Sequence, residues 1–164
     1  MSDVVIVMGS KSDLARARQV AEVLSKFGLT YDLRIASAHK SPAYLLQMLQ
    51  VYEQDDALAQ VAGVRRVYIT IAGRSNALSG FVDAAVSAPV IACPPYADTF
   101  AGADLYSSLR MPSGVAPAVV LEPAAAALLA ATILGRRAAV QAAQTEQAQR
   151  IVADDKALRE EKAT

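Results

Sequence analysis

Along this chain, short apolar runs alternate with longer stretches in which apolar positions recur every three or four residues. Residues 4–8 are an unbroken apolar run closed by Gly9, the pattern of a buried strand that ends in a turn. Over residues 12–27, Leu14, Ala17, Val20, Ala21, Leu24 and Phe27 fall on one helical face, and Gly28 supplies a C-terminal stop. The alternation continues with a strand over 31–36 and a helix that Pro42 opens and residues 44–52 carry on. Next come a strand over 67–72, a helix over 77–88, and a strand over 89–93 that Pro94 and Pro95 cut off. Residues 101–109 read as a further helical stretch and 118–121 as a fifth strand. Residues 123–137 form an Ala/Leu helix that is apolar nearly all round, so its burial is expected.

Strands alternating with helices predict a parallel sheet covered on both faces. Right-handed crossovers then give an α/β fold, a three-layer αβα sandwich with a flavodoxin-like or Rossmann-like sheet. Residues 1–137 make one α/β domain with no internal repeat. Residues 138–164 are a C-terminal helical extension of the same domain, too polar to form a core and expected to pack on a neighbouring subunit, with a loosely held tail as the alternative.

Composition narrows the function. Apolar residues make up 54% of the 164 positions, which is enough for a substantial core. Sixteen basic residues balance sixteen acidic ones, so the basic excess that gives nucleic-acid binders much of their affinity is missing. Trp is absent and aromatic residues are 5%, which argues against a base-stacking platform. Cys93 and His39 are the only residues of their types, so neither an internal disulfide nor a Cys/His zinc site is expected. The N-terminal run has no basic segment before it and reads as a strand rather than a signal peptide. No apolar stretch reaches the ~20 residues needed to span a bilayer. A cytoplasmic protein that binds neither membrane nor nucleic acid is the expectation.

In folds of this kind, ligands bind beyond the carboxyl ends of the strands. Four polar loops fall there. The first carries Gly9, Ser10, Lys11, Ser12 and Asp13, the second Ser37, His39, Lys40 and Ser41, the third Gly73, Arg74, Ser75 and Asn76, and the fourth spans residues 94–104. In the first loop, Gly9 admits close approach, two serines offer hydroxyls, and a helix N-terminus offers free N–H groups to a phosphate. Helix capping by Ser10 or Ser12 is the alternative reading. The loop is neither a P-loop nor a complete GxGxxG fingerprint. His39 suits proton transfer near neutral pH, Lys40 can meet an anion as a point charge or simply be solvated, and the Arg74–Asn76 loop can bond a polar ligand or merely turn. Cys93 reads as a buried thiol. Tyr106, Arg110 and Met111 either line a lid or pack.

Five ordered blocks carry a more specific signal: VMGSKSD at 7–13, SAHKSP at 37–42, IAGRSNALSG at 71–80, PVIACPP at 89–95 and GADLYSSLRMPSG at 102–114. Together they resemble the phosphoribosylaminoimidazole carboxylase family of the PurE type, over about residues 4–137. The common bacterial class of that family has an arginine after the histidine of the second block and a second histidine in a glycine-rich third block. Lys40 and the AGRSN block of this chain resemble class II instead, the type also found as a domain of the animal bifunctional enzyme.

The resemblance implies direct carboxylation of 5-aminoimidazole ribonucleotide by carbon dioxide in purine synthesis, with no ATP, biotin, metal or other cofactor. It further implies that Ser10 and Ser12, beside Gly9, hold the 5′-phosphate and that Asp13 holds the ribose hydroxyls. Ser37 and the backbone of Gly73, Arg74 and Ser75 orient the imidazole and the new carboxyl group. His39 carries the proton, Lys40 contacts phosphate or carboxylate, and Asn76 belongs to the same binding set. A homo-oligomer, tetramer or octamer, is implied as well. The alternatives are the class I mutase acting on the N5-carboxy isomer, a related nicotinate-dinucleotide carboxylase, and a non-catalytic nucleotide-binding scaffold.

Overall fold

A computed structural model describes residues 2–59, 63–96 and 101–161. In chain order the elements are β1 (Val4–Met8), α1 (Leu14–Lys26), β2 (Tyr31–Ile35), α2 (Pro42–Leu58), β3 (Val67–Ile71), α3 (Ala77–Ala85) and β4 (Val90–Ala92). Then follow α4 (Tyr106–Leu109), β5 (Ala118–Val119), α5 (Pro123–Ile133) and α6 (Arg137–Glu161). Single 3-10 turns, Lys11–Asp13 and Ala103–Leu105, lead into α1 and α4.

The five strands form one parallel sheet in the order β2-β1-β3-β4-β5, the flavodoxin-like arrangement. The register pairs Val4 with Tyr31 on one side and Val67 on the other, and runs to Met8 between Ile35 and Ile71. Every residue of β1 and β3 is buried, as continuous apolar runs in a doubly covered sheet require. Side chains alternate across the sheet. Val4, Ile6, Met8, Val67, Ile69 and Ile71 pack with α1 and α5, while Val5, Val7 and Tyr68 pack with α2 and α3. Burying each such Val or Ile contributes about 1.5–3 kcal/mol.

Three elements depart from the sequence pattern. α2 continues to Leu58 through a polar stretch, because its end is tied from outside the helix. Arg66, 1% exposed, donates from Nε and Nη2 to the two Asp56 carboxylate oxygens at 2.7 Å each, and from Nη1 to the Ser2 carbonyl at 2.7 Å. That bidentate pair joins the end of α2 to the starts of β3 and β1. α5 is shorter than its apolar pattern and buries only one face, through Pro123, Ala126, Ala127, Ala130 and Ala131. Its other face, with Leu128 and Leu129, is half-buried, because one α/β layer covers only the side of a helix that meets the sheet. α6 packs against α5 and buries Val140 alone, leaving Ile151, Val152 and Leu158 exposed. Residues 162–164, the end of the expected helical extension, lie outside the described residues. No described helix is long and apolar enough to cross a membrane.

The sheet order fixes where a ligand can sit. From β1 the chain crosses to β2 on one side, and β3 then returns to the other side of β1. The loops leaving β1 and β3 therefore diverge and leave a crevice at the carboxyl edge.

Candidate active site

That crevice is a cleft of about 360 Å³, lined by the loops that follow β1, β2 and β3. Gly9, Ser10, Ser12 and Asp13 come from the first, Ser37, Ala38, His39 and Lys40 from the second, and Ala72, Gly73, Arg74 and Ser75 from the third. Leu78 of α3 closes the floor. The first and third loops start in contact: a Cβ on Gly9 would sit 3.4 Å from the Cβ of Ala72.

The first loop is a capping box. The Ser10 hydroxyl accepts from the Ser12 amide at 3.3 Å, and the Asp13 Oδ2 accepts from the Ser10 amide at 3.0 Å. The Ser10 and Ser12 hydroxyls also bond to each other. Capping and anion binding, alternatives in the sequence, are compatible here. The cap fixes the loop, and both hydroxyls remain on the cleft wall beside the first helical turn. Asp13 Oδ1 has no partner among the described residues.

The second loop is a tight turn held from within. Ser41 Oγ accepts from the Ser37 amide at 3.0 Å, the Ser41 amide donates to the Ser37 carbonyl at 2.9 Å, and the Lys40 amide donates to the Ser37 hydroxyl at 3.2 Å. Ser37 thus spends hydrogen-bonding capacity on the turn that presents His39 and Lys40, both exposed, to the cleft.

The third loop carries a backbone irregularity. Arg74 has φ +56°, a left-handed conformation that costs a non-glycine residue about 1–2 kcal/mol and persists only when neighbours impose it. The neighbours are in α4. The Ser107 hydroxyl accepts from the Asn76 amide at 2.9 Å and faces the Arg74 carbonyl at 3.1 Å, while the Asn76 Nδ2 donates to the Ser108 hydroxyl at 2.9 Å. On the other side, a Cβ on Gly73 would meet Pro95 at 3.2 Å, so the segment after β4 backs this loop.

Two expectations need correction. Asn76 does not line the cleft: it is 3% exposed, and its Oδ1 caps α3 by accepting from the Ser79 amide at 3.2 Å. Both ends of its amide are therefore occupied by protein. The described part of the fourth loop, residues 94–96 and 101–104, does not line the cleft either; residues 97–100 lie outside the described residues. Arg110 and Met111 pack in a separate hollow behind α3, with Met111 Sδ 3.1 Å from where a Gly80 Cβ would be, and Tyr106 stays exposed. Cys93 is buried at the end of β4 with its thiol 3.6 Å from the Leu121 carbonyl. Burial pushes its pKa above the ordinary thiol range, which makes it a poor nucleophile. Ala38, Ala72 and Leu78 complete the lining although their side chains carry no chemical signature in the sequence; Ser107 and Ser108 stand in a motif but had no assigned role. No group of three or more His, Cys, Asp or Glu among the described residues is arranged to hold a metal ion.

Comparison with known proteins gives a consistent result. Residues 3–155 match the family model described as AIR carboxylase. The phosphoribosylaminoimidazole carboxylase of Treponema denticola is 50% identical over 161 residues, covering 95% of this chain and 97% of that protein. The crystal structure of Treponema denticola PurE superposes with a TM-score of 0.85, covering 93% of this chain and 95% of that one. The bifunctional phosphoribosylaminoimidazole carboxylase/phosphoribosylaminoimidazole succinocarboxamide synthetase of Drosophila melanogaster is 42% identical over 132 residues, 80% of this chain and 29% of that protein.

Proposed function

The chain belongs to the AIR carboxylase family, enzymes of purine biosynthesis, and from that premise we propose that it carboxylates 5-aminoimidazole ribonucleotide directly with carbon dioxide, in the cytoplasm and without ATP. The observation that carries this reading is the cleft that the serine-bearing start of α1, His39 with Lys40, and the loop after β3 line together. Lys40 and the third block without histidine support the direct reaction over the mutase, as does the similarity to the bifunctional Drosophila enzyme.

In this reading the 5′-phosphate sits at the start of α1, where the Ser10 and Ser12 hydroxyls and the N-terminal end of the helix offer donors and a positive dipole. Asp13 Oδ1, the free oxygen of its carboxylate, accepts from the ribose hydroxyls. The aminoimidazole then lies towards His39 and the 73–75 loop, with Ser37 at its edge.

The chemistry follows from the substrate. Its amino group feeds electrons into the ring, so carbon 4 is already a nucleophile and attacks carbon dioxide without a covalent catalyst. A new C–C bond forms, one C–O π pair moves to oxygen, and carbon 4 becomes tetrahedral with its hydrogen still attached. Loss of that proton to the His39 imidazole returns the C–H electron pair to the ring and restores aromaticity. The balance is substrate plus carbon dioxide giving 4-carboxyaminoimidazole ribonucleotide and one proton. Backbone amides of the 73–75 loop and the Lys40 ammonium stabilise the charge that develops on the carboxylate oxygens. Holding weakly bound carbon dioxide against carbon 4 is a large part of the acceleration.

The test pairs two substrates without ATP: 5-aminoimidazole ribonucleotide with bicarbonate-derived carbon dioxide, and the N5-carboxy isomer under carbon dioxide depletion. Product from the first and little from the second is expected. Product from the isomer alone would assign the mutase reaction, and tight binding with no turnover of either would make the protein a nucleotide-binding scaffold.

A further inference from the structure

The catalytic cleft has a back wall. Against the loop after β3 lies α4, whose two serines bond to that loop and do not themselves line the cleft. The Ser107 hydroxyl is central to this contact. It accepts from the Asn76 amide at 2.9 Å and lies 3.1 Å from the Arg74 carbonyl and 2.6 Å from the Asp104 carbonyl, so its one hydrogen is shared between two backbone oxygens. Ser108, 2% exposed, holds the Asn76 side chain, whose other end caps α3.

A trans peptide unit directs its C=O and its N–H to opposite sides. The Arg74 carbonyl turns to Ser107, a residue of the hollow behind the loop, so the Ser75 amide of the same peptide unit turns the other way. Ser75 stands between the two spaces and lines both the cleft and the hollow behind the loop, and its N–H, directed away from Ser107, has no acceptor among the described residues. Arg74 is in the left-handed region, a backbone that its neighbours must impose, and the peptide unit that follows it is held at its carbonyl by Ser107. The orientation of this peptide is therefore imposed from outside the loop.

Resting on the reading that the 73–75 loop receives the new carboxylate, we propose that Ser107 is a positioning residue: it fixes the Arg74–Ser75 peptide so that the Ser75 amide donates into the cleft, to the oxygens on which charge develops. Ser107 itself touches no substrate. Its effect belongs to the transition state, because carbon dioxide is neutral and its oxygens gain charge only as the bond forms. Asn76 and Ser108 brace the same loop one residue further on.

The experiment compares wild type, Ser107→Ala and Ser107→Thr as full-length proteins, in steady-state carboxylation of 5-aminoimidazole ribonucleotide at saturating carbon dioxide. Outright loss of one preorganised donor costs about 10²–10³-fold in kcat; Ser107→Ala frees the donor's aim without removing it and should lower kcat by up to about a hundredfold, while KM for the ribonucleotide changes less than about threefold. Ser107→Thr keeps the hydroxyl and should recover most of kcat. A thermal midpoint that falls with kcat unchanged would mean a merely structural role, and a loss confined to KM would mean uniform substrate binding; either overturns the proposal. A crystal structure of Ser107→Ala supplies a second readout, with the Arg74 carbonyl expected to leave its present direction. An unmoved peptide overturns the proposal too. If wild type itself fails to carboxylate the ribonucleotide, the functional reading falls on that control alone, and the crystal structure still decides whether Ser107 orients the peptide.

Discussion

At the scale of single residues, the chemistry rests on very few groups. His39 is the one imidazole, and it stands exposed on the wall of the cleft. His39→Asn keeps size and polarity but removes the base. It should cut carboxylation by about 10²–10⁴-fold without altering the circular dichroism spectrum; near-full activity in a folded variant would end the proton-carrier role. Two buried acids make a different prediction. Burial holds the Cys93 thiol and the Tyr68 phenol above their ordinary values of 9.0 and 10.0. In the unfolded chain both ionise at those ordinary values, so the folded state binds more protons. The stability they contribute is complete below about pH 8.5 and is lost as pH rises through the range above it. Urea midpoints should hold from neutral pH to that point and then decline, and Cys93→Ala should make the decline shallower. A midpoint that stays flat through the ordinary tyrosine range would contradict this. Residue types were enough to nominate His39 and Ser10, whose groups offer chemistry wherever they stand, while a role for Asp13 came only from the family resemblance. They were not enough for Asn76, because an Asn before a helix reads equally well as a ligand group or a cap, and only the position of Ser108 and the Ser79 amide decides between them.

At the scale of elements, most of the fold was legible because the strands are continuous apolar runs and α1 shows a clear stripe. β1, β3 and α1 form within a residue or two of the pattern. α2 was legible only in part, since its last six residues carry no apolar period and owe their helical state to Asp56 meeting Arg66. That tie supports a prediction. Arg66→Ala would take both hydrogen bonds of the bidentate pair from Asp56, leaving it Arg65 at 3.3 Å, and would leave the Ser2 carbonyl short of a donor in a site where Arg66 is 1% exposed. Removing one partner of such a pair costs about 3–5 kcal/mol. Chemical denaturation should show a loss of that order with unchanged m-value, and a loss within about 0.5 kcal/mol, the size of an ordinary surface substitution, would mean that the pair is not a fastening. The short stretches α4 and β5 were the hardest to bound, because four and two residues are too few to establish a period.

At the scale of the whole molecule, α6 is out of proportion to its contacts: 25 residues, with Val140 the one buried among them. A helix that leaves Ile151, Val152 and Leu158 exposed satisfies the burial its sequence calls for only against another surface. We expect that surface to be a second subunit. A chain ending after Val140 should keep its core and its secondary structure but show a smaller molar mass than full-length protein in light scattering at the same micromolar concentration. Identical masses would remove α6 from the interface, and a full-length monomer would remove the oligomer. What the sequence by itself determined was the order of strands and helices, the αβα class, and four polar loops at the carboxyl edge. Period and composition are local properties, and parallel crossovers then place those loops at one end of the sheet. The tertiary structure alone decided that the loops after β1, β2 and β3 line one cleft, that Asn76 turns inward, and that α4 reaches the Arg74 carbonyl across 33 positions. A hydrogen bond between residues so far apart depends on the packing of every element between them, and no local pattern in the chain encodes that distance.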